Sequence, residues 1–208
     1  MPEPLRAGGH PDRPRVFGIG LNKTGTSSFH QAMTVMGYQS LHWGGPSVRM
    51  EVEQSIERGE PLLTRLDPTY DAFSDIEALS ENFVLLDAQY PGSRFVLTVR
   101  PLDDWIDSRR RHVENNIRRR ETGDYQGNFL VVDEDRWRRQ WGRHTEAARR
   151  YFAGRDDFVE VDITAGAGWE PLCTLLGIAE PAQPFPWENR DQVHGGPLGD
   201  PADAGQAE

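Results

Sequence analysis

The chain has 208 residues, enough for one domain with a proper core, and its net charge of −10, from 33 acidic and 23 basic side chains, argues against a general nucleic-acid binder. Its hydrophobic fraction is 37%, and no apolar run approaches the roughly 20 residues of a membrane helix, so no membrane span is expected. The single cysteine, Cys173, excludes an internal disulfide, and with no secretory-type leader in view the expected compartment is the cytoplasm.

Residues 1–14 and those from 190 to 208 are rich in Pro, Gly and charge and read as tails, which leaves 15–189 as a single domain. Within it, 16–20 reads as a buried strand and 26–36 as a helix stopped by Gly37. Helices are predicted over 48–58 and 76–89, the second ended by Pro91-Gly92. A short β-branched run at 95–99 suits a central parallel strand, followed by a helix over 101–120. A long polar helix over 133–152, a strand over 158–162 and a helix over 169–176 complete the pattern. This repeated alternation predicts an α/β fold, a sheet covered by helices, with ligands beyond the carboxyl ends of the strands.

Charge is uneven along this frame. Between Arg100 and Arg155, 14 arginines stand against 10 acidic side chains, so the stretch carries +4 and the remainder −14, which favours an anionic ligand. Every basic residue except Lys23 is arginine, so the one lysine calls for a local reason.

Lys23 lies in the segment from Gly18 to Ser28, where a strand ends and a helix begins. Backbone N–H groups and the helix dipole converge there on one spot that attracts an anion. Gly18, Gly20 and Gly25 let the backbone approach a ligand, and Thr26, Ser27 and Ser28 add hydroxyl donors. A nucleotide triphosphatase places its lysine directly after the last glycine of the loop. Here Lys23 precedes Gly25, from where it can reach the leaving-group oxygen of a transferred group.

The run Asn22-Lys23-Thr24-Gly25-Thr26-Ser27-Ser28 resembles the 5′-phosphosulfate loop of sulfotransferases, commonly written P-K-[TS]-G-T-T, with Asn22 in the place of the proline. A second segment, from Arg94 through Arg100-Pro101 and Asp104 to Ser108, resembles the family's 3′-phosphate motif R-x-P-x-D-x-x-x-S. Arg100 and Ser108 keep its eight-residue spacing and Asp104 its aspartate, while Pro101 is displaced by one place. The resemblance spans about 16–189 and includes 158–162, Gly168-Trp169 and Pro184-Phe185-Pro186. It implies a three-layer P-loop-like α/β fold with a mostly parallel sheet. The implied donor is 3′-phosphoadenosine 5′-phosphosulfate, used without a catalytic metal and held by residues 22–28, Arg100 and Ser108.

Transfer to a hydroxyl, or less readily an amine, of a small-molecule acceptor also needs a base. Asp75 is the first candidate, in a loop before a helix, where Ser74 or Asp75 would equally serve as N-cap. His42 is the second, beside Trp43, which could pack on an aromatic acceptor. Asp67 and His112 remain further options, while Trp137 and Trp141, four apart, are expected to pack one helix face. A P-loop nucleotide or small-molecule kinase, or a non-catalytic nucleotide-binding module, would share the loop.

Overall fold

Five short strands carry the apolar centre of the chain: β1 (Val16–Gly18), β2 (Ser40–His42), β3 (Ala72–Ser74), β4 (Arg94–Thr98) and β5 (Phe158–Val161). The computed structural model describes residues 13–188, so of the tails expected over 1–14 and 190–208 only residues 13 and 14 fall within the described residues. All strand pairs are parallel, in the order β2-β3-β1-β4-β5. Side chains alternate between the two faces, as a pleated strand requires. On one face Phe17, Phe73 and Phe95 form a row, with ring centroids 5.4 and 5.5 Å apart. On the other lie Val16, Ala72 and Val96.

Each face is covered. The phenylalanine row packs beneath α2 (Gly45–Glu57), α3 (Glu77–Ser80), α4 (Phe83–Gln89) and α6 (Glu134–Tyr151), through Val52, Leu79, Leu86 and Ala148 among others. The opposite face packs on α1 (Thr26–Val35) and α7 (Glu170–Leu176) through Phe29, Met33 and Leu172. The fold is therefore the expected three-layer α/β arrangement, with an all-parallel sheet. A third cluster of Leu21, Trp105, Ile106, Val113 and Trp137 joins α5 (Leu102–Glu121) to α6 over the loop after β1, and Trp141 packs against it as its spacing from Trp137 predicts.

The differences from the sequence reading are local. The helix expected over 76–89 is two helices, broken where Asn82 leaves helical geometry (φ −106°, ψ 31°) and turns its Nδ2 back to the Ala78 carbonyl at 2.8 Å. Helix α2 starts at Gly45 rather than 48, with a proline in its first turn, where a missing N–H costs nothing. Strands β2 and β3 are new, being three residues each and too short to show a period. Arg13, placed in the tail by composition, donates from Nε to Asp71 at 2.9 Å and lies over the Tyr38 ring. Among the described residues no helix is long and apolar enough to cross a membrane.

Candidate functional site

Beyond β1 the chain passes through residues 19–25 into α1, and glycine is required where it turns. A Cβ on Gly20 would lie 1.9 Å from Thr98 Oγ1 and 2.4 Å from the Thr98 carbonyl oxygen, distances no side chain can occupy. Gly25 (φ 94°) caps α1 in the left-handed region, and Lys23 (φ 66°) shares that region without being glycine.

Three carbonyls of the loop are turned into the protein and held there by buried side chains. His144 Nε2 is 2.6 Å from the Ile19 carbonyl oxygen, so this nitrogen carries the donated proton. Thr24 Oγ1 donates to the Leu21 carbonyl at 2.6 Å and shares a hydrogen bond with Thr98 Oγ1 at 2.7 Å. Trp105 Nε1 donates to the Asn22 carbonyl at 2.7 Å. Burial holds the His144 pKa below the ordinary histidine value and so favours the neutral ring. With these carbonyls engaged from within the protein, the N–H groups of residues 20–25 have no protein partner among the described residues. That row of open donors at a helix N-terminus is an anion cradle.

Neither Trp105 nor His144 was singled out from sequence. The available signal was a histidine within the apolar stripe of α6, in step with Trp137, Trp141 and Ala148. Trp105→Phe keeps an aromatic ring but removes the donor and part of the packing of a fully buried side chain, leaving the Asn22 carbonyl without its partner. It is expected to cost about 1–3 kcal/mol in urea-induced unfolding, the range for a stranded buried acceptor, and to weaken anion binding at the loop in calorimetry.

The hydroxyls of the loop divide. Thr24 is spent within the loop, and Ser28 accepts from the Glu188 N–H at 2.9 Å, which ties it to the 184–188 segment. Ser27 instead faces His42, 3.5 Å from its Nε2. Lys23 is half-buried and makes no ion pair among the described residues.

Arg100 stands two residues past β4, and Ser108 lies in α5, half-buried. Arg100 Nε is buried with no partner, and burial lowers the guanidinium pKa from its ordinary value, with Asp104 as the main opposing charge. A buried donor with an unsatisfied N–H fits an incoming phosphate. The next residue, Arg109, was not anticipated. It is 7% exposed, sits 4.7–5.0 Å from the Trp105, Trp137 and Phe129 rings, and donates to Gln140 at 3.2 Å. Burial pushes its pKa down to about 10, with Glu77 and then Asp75 opposing.

The two base candidates come together on the other side of β1. His42 ends β2 and Asp75 follows β3, and the parallel pairing of these strands brings His42 Nε2 to 3.8 Å from Asp75 Oδ2. Both are mostly covered, with 11% and 21% of their side chains exposed. His42 Nδ1 bonds Ser74 Oγ at 2.9 Å, and its ring stacks on His30 at 5.3 Å. Burial and the neighbouring His42 lower the His30 pKa to about 4, so His30 is neutral at pH 7 and adds no charge here. The N-cap of α3 is Ile76, with no side-chain cap bond, so neither Ser74 nor Asp75 takes up that alternative task. Of the further options, Asp67 closes its own turn by accepting from Thr69, and His112 lies against Phe129.

A family model described as a sulfotransferase domain matches residues 15–125 and 122–194 of the chain, which takes in every residue placed in the site. No curated protein matches the chain.

Proposed function

The chain belongs to the sulfotransferase family, and from that premise we propose that it moves a sulfonate group from 3′-phosphoadenosine 5′-phosphosulfate to a hydroxyl of a small-molecule acceptor. The observation that carries this reading is the strand order. With β1 central, the Lys23 loop stands between Arg100 and Ser108 on the β4 side and His42 and Asp75 on the β3 and β2 side. A donor lying from β1 toward β4 would present its sulfur to an acceptor arriving from β3, which is the in-line arrangement such a displacement needs.

In this reading the N–H groups of residues 20–25, with the Thr26 and Ser27 hydroxyls, hold the 5′-phosphosulfate, and Arg100 and Ser108 hold the 3′-phosphate. Asp75, paired with His42, takes the proton from the acceptor hydroxyl as its oxygen bonds to sulfur. The sulfur–oxygen bond to the 5′-phosphate breaks, and Lys23 neutralises the charge left on that oxygen. The products are the sulfate ester and adenosine 3′,5′-bisphosphate.

The donor assignment is tested by calorimetry. Adenosine 3′,5′-bisphosphate is expected to bind the full chain at least about tenfold more tightly than 5′-AMP, the gain of a charge-assisted phosphate contact. Arg100→Ala is expected to bring the two ligands to within about threefold of each other by weakening only the bisphosphate. Equal affinity of the wild type for both ligands would sink the proposal.

A further inference from the structure

Among the described residues, three other than glycine adopt a positive φ, and they stand at the ends of three neighbouring strands: Lys23 (φ 66°) beyond β1, Trp43 (φ 57°) after β2 and Asp75 (φ 58°) after β3. A residue with a Cβ is disfavoured in this region and persists there only when its surroundings demand it, which is why such residues gather at functional sites. Lys23 and Asp75 have parts in the transfer described above. Trp43 has none.

Its position is built. The Trp43 N–H bonds the Ser74 carbonyl at 2.9 Å, the Gly44 N–H turns back to the His42 carbonyl at 2.6 Å, and Gly44 and Gly45 continue with φ 70° and 79°. Of the six tryptophans, the other five belong to or pack against an apolar cluster, whereas Trp43 is in none. Its half-buried ring meets no other ring, and its N–H has no protein acceptor among the described residues. A Cβ placed on Gly45 would come no nearer than 4.0 Å to it. A half-buried indole outside every apolar cluster, held by a strained turn and adjacent in sequence to His42, is what an aromatic ring stacks on.

We propose that Trp43 is the platform for the ring of an aromatic hydroxyl acceptor, of the phenol class, whose hydroxyl is thereby aimed at Asp75 and His42. This rests on the sulfotransferase reading and narrows its acceptor. A flat π-face gains from stacking on indole in a way that a puckered saturated ring does not.

The test offers phenol and cyclohexanol, similar in size, to the full chain with the donor, and follows bisphosphate affinity and thermal unfolding in parallel. Trp43→Gly is expected to lower kcat/KM for phenol about tenfold, mainly through KM, and to change that for cyclohexanol less than about twofold. Bisphosphate affinity should stay unchanged. The unfolding midpoint should hold or rise, because glycine is at ease at this φ. Trp43→Phe should keep most of the phenol activity. An equal loss for both alcohols, a lowered midpoint, or a wild type that binds the bisphosphate yet shows no preference for phenol overturns the platform and leaves the donor reading standing. A wild type that does not bind the bisphosphate removes the reading on which the platform rests.

Discussion

Lys23→Ala is expected to lower kcat by about 10²- to 10³-fold, the loss typical when one preorganised group is removed from a developing charge. The substitution is unusually clean. Lys23 sits at φ 66° and makes no ion pair among the described residues, so no partner is stranded when it goes. Alanine retains a Cβ, so the backbone strain at this position is the same in both proteins. What changes is the ammonium and the three methylenes that carry it. The loop itself is held by Trp105, Thr24 and His144 through the Asn22, Leu21 and Ile19 carbonyls, bonds that do not involve the Lys23 side chain, and thermal unfolding should shift little. Single-turnover kinetics with saturating donor would isolate the chemical step. A kcat within tenfold of wild type would remove Lys23 from the leaving-group role. Lys23→Arg should restore only part of the rate, because a planar guanidinium cannot place a point charge where a flexible ammonium can.

The residues proposed for the donor could be grouped from the sequence because they are local. Glycines, hydroxyls and a lysine fall within eleven consecutive residues between a strand and a helix, and Arg100 and Ser108 are joined by one strand end and one helix. The acceptor half was legible only as separate candidates. His42 and Asp75 are 33 positions apart, and they meet because β2 pairs with β3, two strands of three residues each that leave no periodic trace. The supports were hidden for a related reason. His144 lies 125 residues from the Ile19 carbonyl it holds, and only the packing of α6 against the sheet unites them. Arg109 looked like one more charge in an arginine-rich helix, but three aromatic rings from separate segments enclose it. The single helix expected over 76–89 failed at Asn82, where a side-chain amide competes for the Ala78 carbonyl and breaks the helical run.

Asp75→Asn is expected to lower kcat by about 10²- to 10⁴-fold, the range for a lost general base, and by more than His42→Gln does. Both substitutions are nearly isosteric, so each removes basicity with little change of shape. The geometry favours Asp75 as the group that receives the proton and His42 as its orienting neighbour. His42 already commits Nδ1 to Ser74, and its Nε2 lies between Ser27 and Asp75, at 3.5 and 3.8 Å. Arg109 is a buried positive charge, and Asp75 is one of the negative charges that oppose its loss. A base must be unprotonated to act, so activity falls as pH drops through its pKa. With Asp75 in this role the acid limb of the kcat profile belongs to a carboxylate. His42→Gln should then retain that limb at a reduced rate, and Asp75→Asn should abolish it. If Asp75→Asn instead keeps full activity and His42→Gln removes the acid limb, the proton goes to His42, and Asp75 serves to orient it.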